Sequence, residues 1–291
     1  KRQKWDNGEF KGDAISTTSE LVKISSDGNL GLQEGQKFER GGIYRFTVDV
    51  TKGNTKAVLT VEKVGKVDLP APDIFFGNSK MEVTDTDIYK SDQVFTRGQM
   101  ITVTGIDNLN EWWIDPDFFE KQSDGTLKFL PINGDYRVTA NGILKYFSVI
   151  ALKDGKPAKL QDDGTGAIWA IGKGIGKPSV TSSEVGWETG KALCLAQVAP
   201  KKYQLTLKAG ETLKTSGDWE AISFKFFYQN DWGGEFSNYA SNTLVEQLKL
   251  TGSGNLEMQD NKAFEEGGVY RFTIDVTNGN ANAILKVEKI N

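Results

Sequence analysis

Gly41-Gly42-Ile43-Tyr44-Arg45-Phe46-Thr47-Val48-Asp49-Val50 returns 226 positions later as Gly267-Gly268-Val269-Tyr270-Arg271-Phe272-Thr273-Ile274-Asp275-Val276. In both stretches apolar residues occupy alternate positions, the period of a strand with one buried face. A turn signal follows each, Thr51-Lys52-Gly53-Asn54 and Thr277-Asn278-Gly279-Asn280. The next strand then sets Ala57, Leu59 and Val61 against Val58, Thr60 and Glu62. Each copy is expected to end in a β-hairpin with one face buried. Carried outward, residues 1–64 align with 227–290 without a gap, at roughly half identity.

A repeat of this length marks a duplicated module. Duplication suits binding better than catalysis, because two weak sites on one chain gain avidity through effective concentration. The second copy has a run-up of about 60 residues, from Thr165 to Phe226, and the first copy has none. The chain is therefore expected to start partway through a module, with any signal peptide upstream of Lys1.

Composition narrows the chemistry. Charged residues make up 25% and hydrophobic ones 38%, ordinary for a globular protein. No apolar run approaches the ~20 residues that span a bilayer. A net charge of −4 without a basic block lacks the electrostatic footprint of a nucleic-acid binder. The absence of histidine excludes His-based triads, bases and metal sites. A single cysteine excludes an internal disulfide and a Cys-rich metal cluster, and Cys194 within Ala-Leu-Cys-Leu-Ala reads as a buried, inert thiol. No cofactor or metal ion is implied.

Period-two alternation continues along the chain. Further strands are read at 99–104, 126–130, 136–140 and 145–152, and then at 167–171, 192–198, 203–208 and 222–228. No long amphipathic helix appears. Proline-bearing Asp68-Leu69-Pro70-Ala71-Pro72 and Gln161-Asp162-Asp163-Gly164-Thr165-Gly166 read as connectors. The fold class is all-β, with tandem antiparallel β-sandwich domains of immunoglobulin-like or carbohydrate-binding-module type. The expected division is 1–66, the C-terminal half of a module; 67–164, a middle sandwich; and 165–291, a complete module.

The complete copy runs through Ala167-Ile168-Trp169-Ala170-Ile171-Gly172, then Val185-Gly186-Trp187, then Tyr203-Gln204-Leu205-Thr206-Leu207-Lys208-Ala209-Gly210-Glu211. Phe224-Lys225-Phe226-Phe227-Tyr228-Gln229-Asn230-Asp231-Trp232-Gly233-Gly234 and the closing hairpin complete it. This order resembles the carbohydrate-binding modules of SusE- and SusF-like proteins, outer-membrane glycan-binding lipoproteins of Bacteroidetes. The stretch Gly172-Lys173-Gly174-Ile175-Gly176-Lys177-Pro178 departs from the starch-binding members. The resemblance implies non-catalytic binding of a polysaccharide or oligosaccharide at the extracellular face of the outer membrane. It also implies a lipid anchor upstream of this chain and a SusC/SusD-like transporter as partner. Two other classes stand beside it: a spacer or protein-interaction role within a surface complex, and a glycoside hydrolase.

A sugar ring offers one apolar face and a rim of hydroxyls, so its binder needs a flat aromatic surface edged by amides or charges. Trp232 is the leading platform, with Asn230, Asp231, Glu235 and Lys225 as rim contacts and Tyr228 beside them. The competing reading makes Trp232 a plug at the end of the core. Trp187 and Trp219 are further platform candidates, and Trp169 alternates as a core residue. In the first copy the equivalent residues are Trp5, Asp6 and Glu9, a second candidate site. In the middle segment, Trp112-Trp113-Ile114-Asp115-Pro116-Asp117 pairs aromatics with carboxylates, as glycosidases do. Asp-Pro-Asp also makes an ordinary turn, and a packed sandwich corner is the preferred reading. The run of Gly172, Gly174 and Gly176 lacks nucleotide-loop spacing and reads as a glycine-rich turn leading to no helix.

Overall fold

The computed structural model of the chain describes residues 10–39, 41–67, 71–217 and 221–291. Contacts divide it into two compact units, 1–71 and 72–291. Strands dominate both. Among the described residues, helix is confined to one turn at Val180–Ser183 and three 3-10 turns.

Residues 165–291 build a sandwich in two layers. One sheet runs in the order Glu184–Gly186, Trp169–Gly176, Ser223–Phe227, Leu256–Met258, Leu248–Leu250; Leu193–Cys194 also pairs with Trp169–Gly176. The other runs Ala196–Ala199, Lys202–Lys208, Val269–Asp275, Ile284–Lys289, Ser241–Thr243. Phe272 joins the layers, with its ring centroid 5.5 Å from Phe224 and 6.4 Å from Phe226. The stretch read as one strand over 192–198 is two. The chain crosses between sheets at Leu195, whose N–H bonds Ile168 C=O at 2.9 Å. The glycine run is also not a turn: Gly172, Gly174 and Gly176 lie inside a strand. Gly172 holds φ 141° and Gly174 φ 83°, and a Cβ on Gly172 would fall 2.4 Å from Phe224 Cα. Glycine here lets two strands approach where no side chain fits. A one-turn helix then follows Pro178, capped by the Ser179 hydroxyl, which accepts from the Ser182 N–H at 3.1 Å.

In the same unit, residues 72–160 form a second sandwich. Its five-stranded sheet runs Lys156–Pro157, Tyr146–Lys153, Gly134–Asn141, Ile88–Phe95, Glu82–Asp85. Phe76, Phe95, Phe119, Phe129 and Phe147 fill its core, with Trp112 stacked on Phe147 at 4.6 Å.

The first unit repeats the end of the complete module. Gly42–Asp49 pairs with Ala57–Lys66, Ile15–Thr17 joins Ala57–Lys66 in parallel, and Val22–Ile24 pairs with Leu30–Leu32. The same parallel pairing recurs between Ser241–Thr243 and Ile284–Lys289. Burial differs sharply between the copies. Phe272 is 0% exposed, and Phe46 at the equivalent position is 49% exposed; Val48 and Val50 are exposed with it. In the complete module, Val269–Asp275 pairs with Lys202–Lys208 and Leu256–Met258 with Ser223–Phe227. Those partners come from 165–226, and the first unit has no counterpart among the described residues. The hairpin expected to bury one face does so at Ala57 and Leu59, and leaves Phe46, Val48 and Val50 open.

Burial decides what a ring contributes. Phe272→Ala is expected to lower stability of the second unit by about 3–5 kcal/mol, and Phe46→Ala by less than about 1 kcal/mol. Denaturant melts of the two variants compare them directly; equal losses would show that the Phe46 face is covered in solution.

Candidate functional site

The register of Ser223–Phe227 sorts its side chains. Phe224 and Phe226 meet Phe272 in the core, so Lys225 and Phe227 face the other way. The strand turns back through a hairpin closed by the Tyr228 N–H to Gly234 C=O at 2.6 Å and Phe236 N–H to Phe226 C=O at 2.9 Å. A bridge between Phe227 and Glu235 puts Glu235 on the same side as Phe227. Gly233 and Gly234 take φ of 79° and 85°, left-handed values that turn the chain so tightly.

Trp232 sits at the tip of this hairpin. It is 52% exposed and, among the described residues of 72–291, the one exposed aromatic ring, so it does not plug the core. Its N–H donates to Asp231 Oδ1 and its C=O accepts from Gln229 Nε2, each at 2.8 Å. Both backbone groups are thereby held by neighbouring side chains. The indole stands edge-on to Phe227 at 6.0 Å and near-parallel to Trp187, 27° apart with centroids at 6.3 Å. Trp187 reaches this point from the end of strand Glu184–Gly186, and is half-buried against the core. Two indoles from distant segments thus meet over the buried Phe227 ring, with Lys225 and Glu235 on the same side of the strand pair.

The polar candidates separate into engaged and free. Lys225, Asn230 and Glu235 are half-buried, and no hydrogen bond or ion pair holds their side chains among the described residues. Asp231 spends one oxygen on the Trp232 N–H. Tyr228 turns to the opposite side of the hairpin and packs edge-on to Phe236 at 4.3 Å; burial pushes its phenol up. The structure therefore separates it from Trp232. Trp169 is buried and donates from Nε1 to Ala158 C=O at 3.0 Å, as a core residue would. Trp219, Trp5, Asp6 and Glu9 lie outside the described residues.

One polar constellation escaped the sequence reading. Asp115 and Asp117, in the segment taken as a sandwich corner, are buried against Lys177 of the complete module. Lys177 Nζ lies 2.7 Å from Asp115 Oδ2 and 3.3 Å from Asp117 Oδ2. Asp117 also accepts from Gln204 Nε2 at 2.7 Å, and from the Thr206 N–H and hydroxyl at 2.6 Å each. Beside them Trp113 donates from Nε1 to Glu211 Oε1 at 2.5 Å, with Lys177 Nζ 5.9 Å from its ring centre. These contacts fasten the two sandwiches of 72–291 together. Burial raises the Asp115 carboxyl, and a second carboxylate adds to the rise. Burial also opposes ionisation of Asp117, but Lys177, Gln204 and Thr206 outweigh it and hold the carboxyl low. Burial works against the Lys177 ammonium too, and the two carboxylates overcome that and raise it. Nearby, burial pushes the Cys194 thiol up to about 12, so it stays protonated.

A family model described as domain of unknown function DUF5121 matches residues 1–51 and 163–277. The chain belongs to the DUF5121 family. A second model, domain of unknown function DUF5125, matches residues 69–160. The DUF5121 match falls on both copies of the repeat, and the DUF5125 match on the sandwich between them. No curated protein matches the chain.

Removing the ammonium from the DUF5121–DUF5125 junction is expected to be costly. Lys177→Met leaves two buried carboxylates without a counter-ion and lowers stability by about 3–5 kcal/mol at pH 7. The sign with pH follows from the same groups. As the pH falls toward the ordinary Asp value of ~4, the orphaned carboxyls, raised by burial, protonate and the deficit shrinks. Denaturant melts at pH 7 and pH 4 check this; a deficit that grows on acidification contradicts it.

Proposed function

We propose that the complete DUF5121 module binds a polysaccharide or oligosaccharide without cleaving it, at a bacterial cell surface, in support of glycan uptake. The observation that carries this reading is the surface built by Trp232 and Trp187. It is solvent-facing, aromatic, held by the backbone bonds of Trp232, and edged by the unengaged side chains of Lys225, Asn230 and Glu235. A sugar ring stacks its C–H face on Trp232 and offers hydroxyls to the rim. The resemblance to SusE- and SusF-like modules supports the same reading. It extends the proposal to lipid anchoring at the extracellular face of the outer membrane and to a SusC/SusD-like transporter as partner. An open site of this kind binds weakly, with Kd of about 10 μM to 1 mM.

The hydrolase alternative loses its best candidates. Asp115 and Asp117 are buried and bound to Lys177, where their charge fastens two sandwiches.

Native affinity electrophoresis against soluble starch, xylan, xyloglucan, mannan and levan tests the proposal. One polysaccharide is expected to retard the chain, and Trp232→Ala to lose that retardation by tenfold or more in affinity, about 1.4 kcal/mol. The ring is exposed, so the melt should shift by less than about 1 kcal/mol. Retardation unchanged in Trp232→Ala, or absent throughout the panel, overturns the reading.

A further inference from the structure

A second surface of the same unit holds an arginine without a partner. In the first repeat Arg45 Nη1 meets Glu62 Oε1 across the strand pair at 3.1 Å. Arg271 and Glu288 occupy the same positions in the complete module and are again directly opposed. Here no ion pair forms between them. Glu288 is taken by Lys286 at 2.6 Å, and the first repeat has Thr60 at the position of Lys286. Arg271 makes no hydrogen bond or ion pair among the described residues, and its Nε is buried without an acceptor.

The released guanidinium lines a groove of about 350 Å³ with Trp113, Gln204, Lys208, Glu211 and Ile290. That volume lies at the lower end of small-molecule sites. The other charges of the groove are internally balanced: Lys208 pairs with Glu211 at 2.9 Å, and Glu211 also holds the Trp113 indole. Arg271 therefore contributes the one uncompensated charge among these lining residues. Its fork of N–H donors matches the two oxygens of a carboxylate, and the Trp113 indole supplies an apolar wall for a ring beside it.

We propose that this groove, at the junction of the DUF5125 and DUF5121 sandwiches, binds a carboxylate-bearing sugar, a uronic acid residue. Arg271 takes the carboxylate and Trp113 flanks the ring. The site is separate from the Trp232 surface and stands or falls independently of it.

Isothermal titration with trigalacturonate, against galactotriose and inorganic phosphate, tests the assignment on the full chain. Trigalacturonate is expected to bind at least about tenfold tighter than either control, reflecting the paired charge-assisted bonds. Arg271→Gln should weaken it by about tenfold or more, with Arg271→Lys in between because charge survives and the fork does not. Lys286→Thr, which restores the pattern of the first repeat, should also weaken binding, by freeing Glu288 to recapture Arg271. Trp232→Ala should leave it unchanged, and all four variants should melt close to the parent. Undiminished binding in Arg271→Gln, equal binding of galactotriose or phosphate, or no heat from trigalacturonate at millimolar concentration would overturn the proposal.

Discussion

Lys177 is a single ammonium placed between two carboxylates, all three side chains buried. Three charges in such a place are tolerable only when each is bonded, and the shortfall of one positive charge falls on Asp115, whose carboxyl is raised by burial. The satisfied lone pairs of Asp117 require Gln204 and Thr206 to stand where strand Lys202–Lys208 holds them. The cluster thus fixes the DUF5125 sandwich against a particular strand of the DUF5121 sandwich. It also sits just past the end of strand Trp169–Gly176, whose pairing with Ser223–Phe227 sets which residues face Trp232.

From that register the two surfaces of the complete module follow. Phe224 and Phe226 face Phe272, so Phe227 and Lys225 lie on the other side of the strand, and the bridge to Glu235 aligns the hairpin so that the Trp232 indole covers the buried Phe227 ring. On the other sheet, Lys286 stands where the first repeat has Thr60 and pairs with Glu288, and Arg271 beside Trp113 has no ion pair among the described residues. The repeat serves as an internal control. The same Phe in the same hairpin is open in one copy and buried in the other, where Lys202–Lys208 pairs with its strand and Phe224 and Phe226 pack on its ring.

Much of this was legible in the amino-acid sequence. Period two identified the strands and the all-β class, and alternation placed Trp169 in the core. The loop from Gln229 to Phe236 stood out as a candidate site because polar residues and glycines surround one indole. What stayed hidden depends on distance along the chain. Trp187 and Trp232 meet across 45 positions, and Lys177 finds Asp115 across 62, so neither pairing has a local period to betray it. The glycine run misled for a different reason. Glycine marks turns and close strand approaches alike, and only Phe224 behind Gly172 distinguishes them. The Thr60 to Lys286 difference was visible in the aligned repeats, but its consequence for Arg271 required the cross-strand register.

The central claim is that a glycan stacks on Trp232 with Trp187 beside it. The most direct measurement is two-dimensional ¹H–¹⁵N NMR of the indole N–H groups during titration with maltohexaose, xylohexaose and mannohexaose. The account predicts that one of these oligosaccharides moves the Trp232 and Trp187 signals together, leaving those of buried Trp112 and Trp169 in place. Titrations that leave the Trp232 indole unmoved, or that shift only the buried tryptophans, would contradict it.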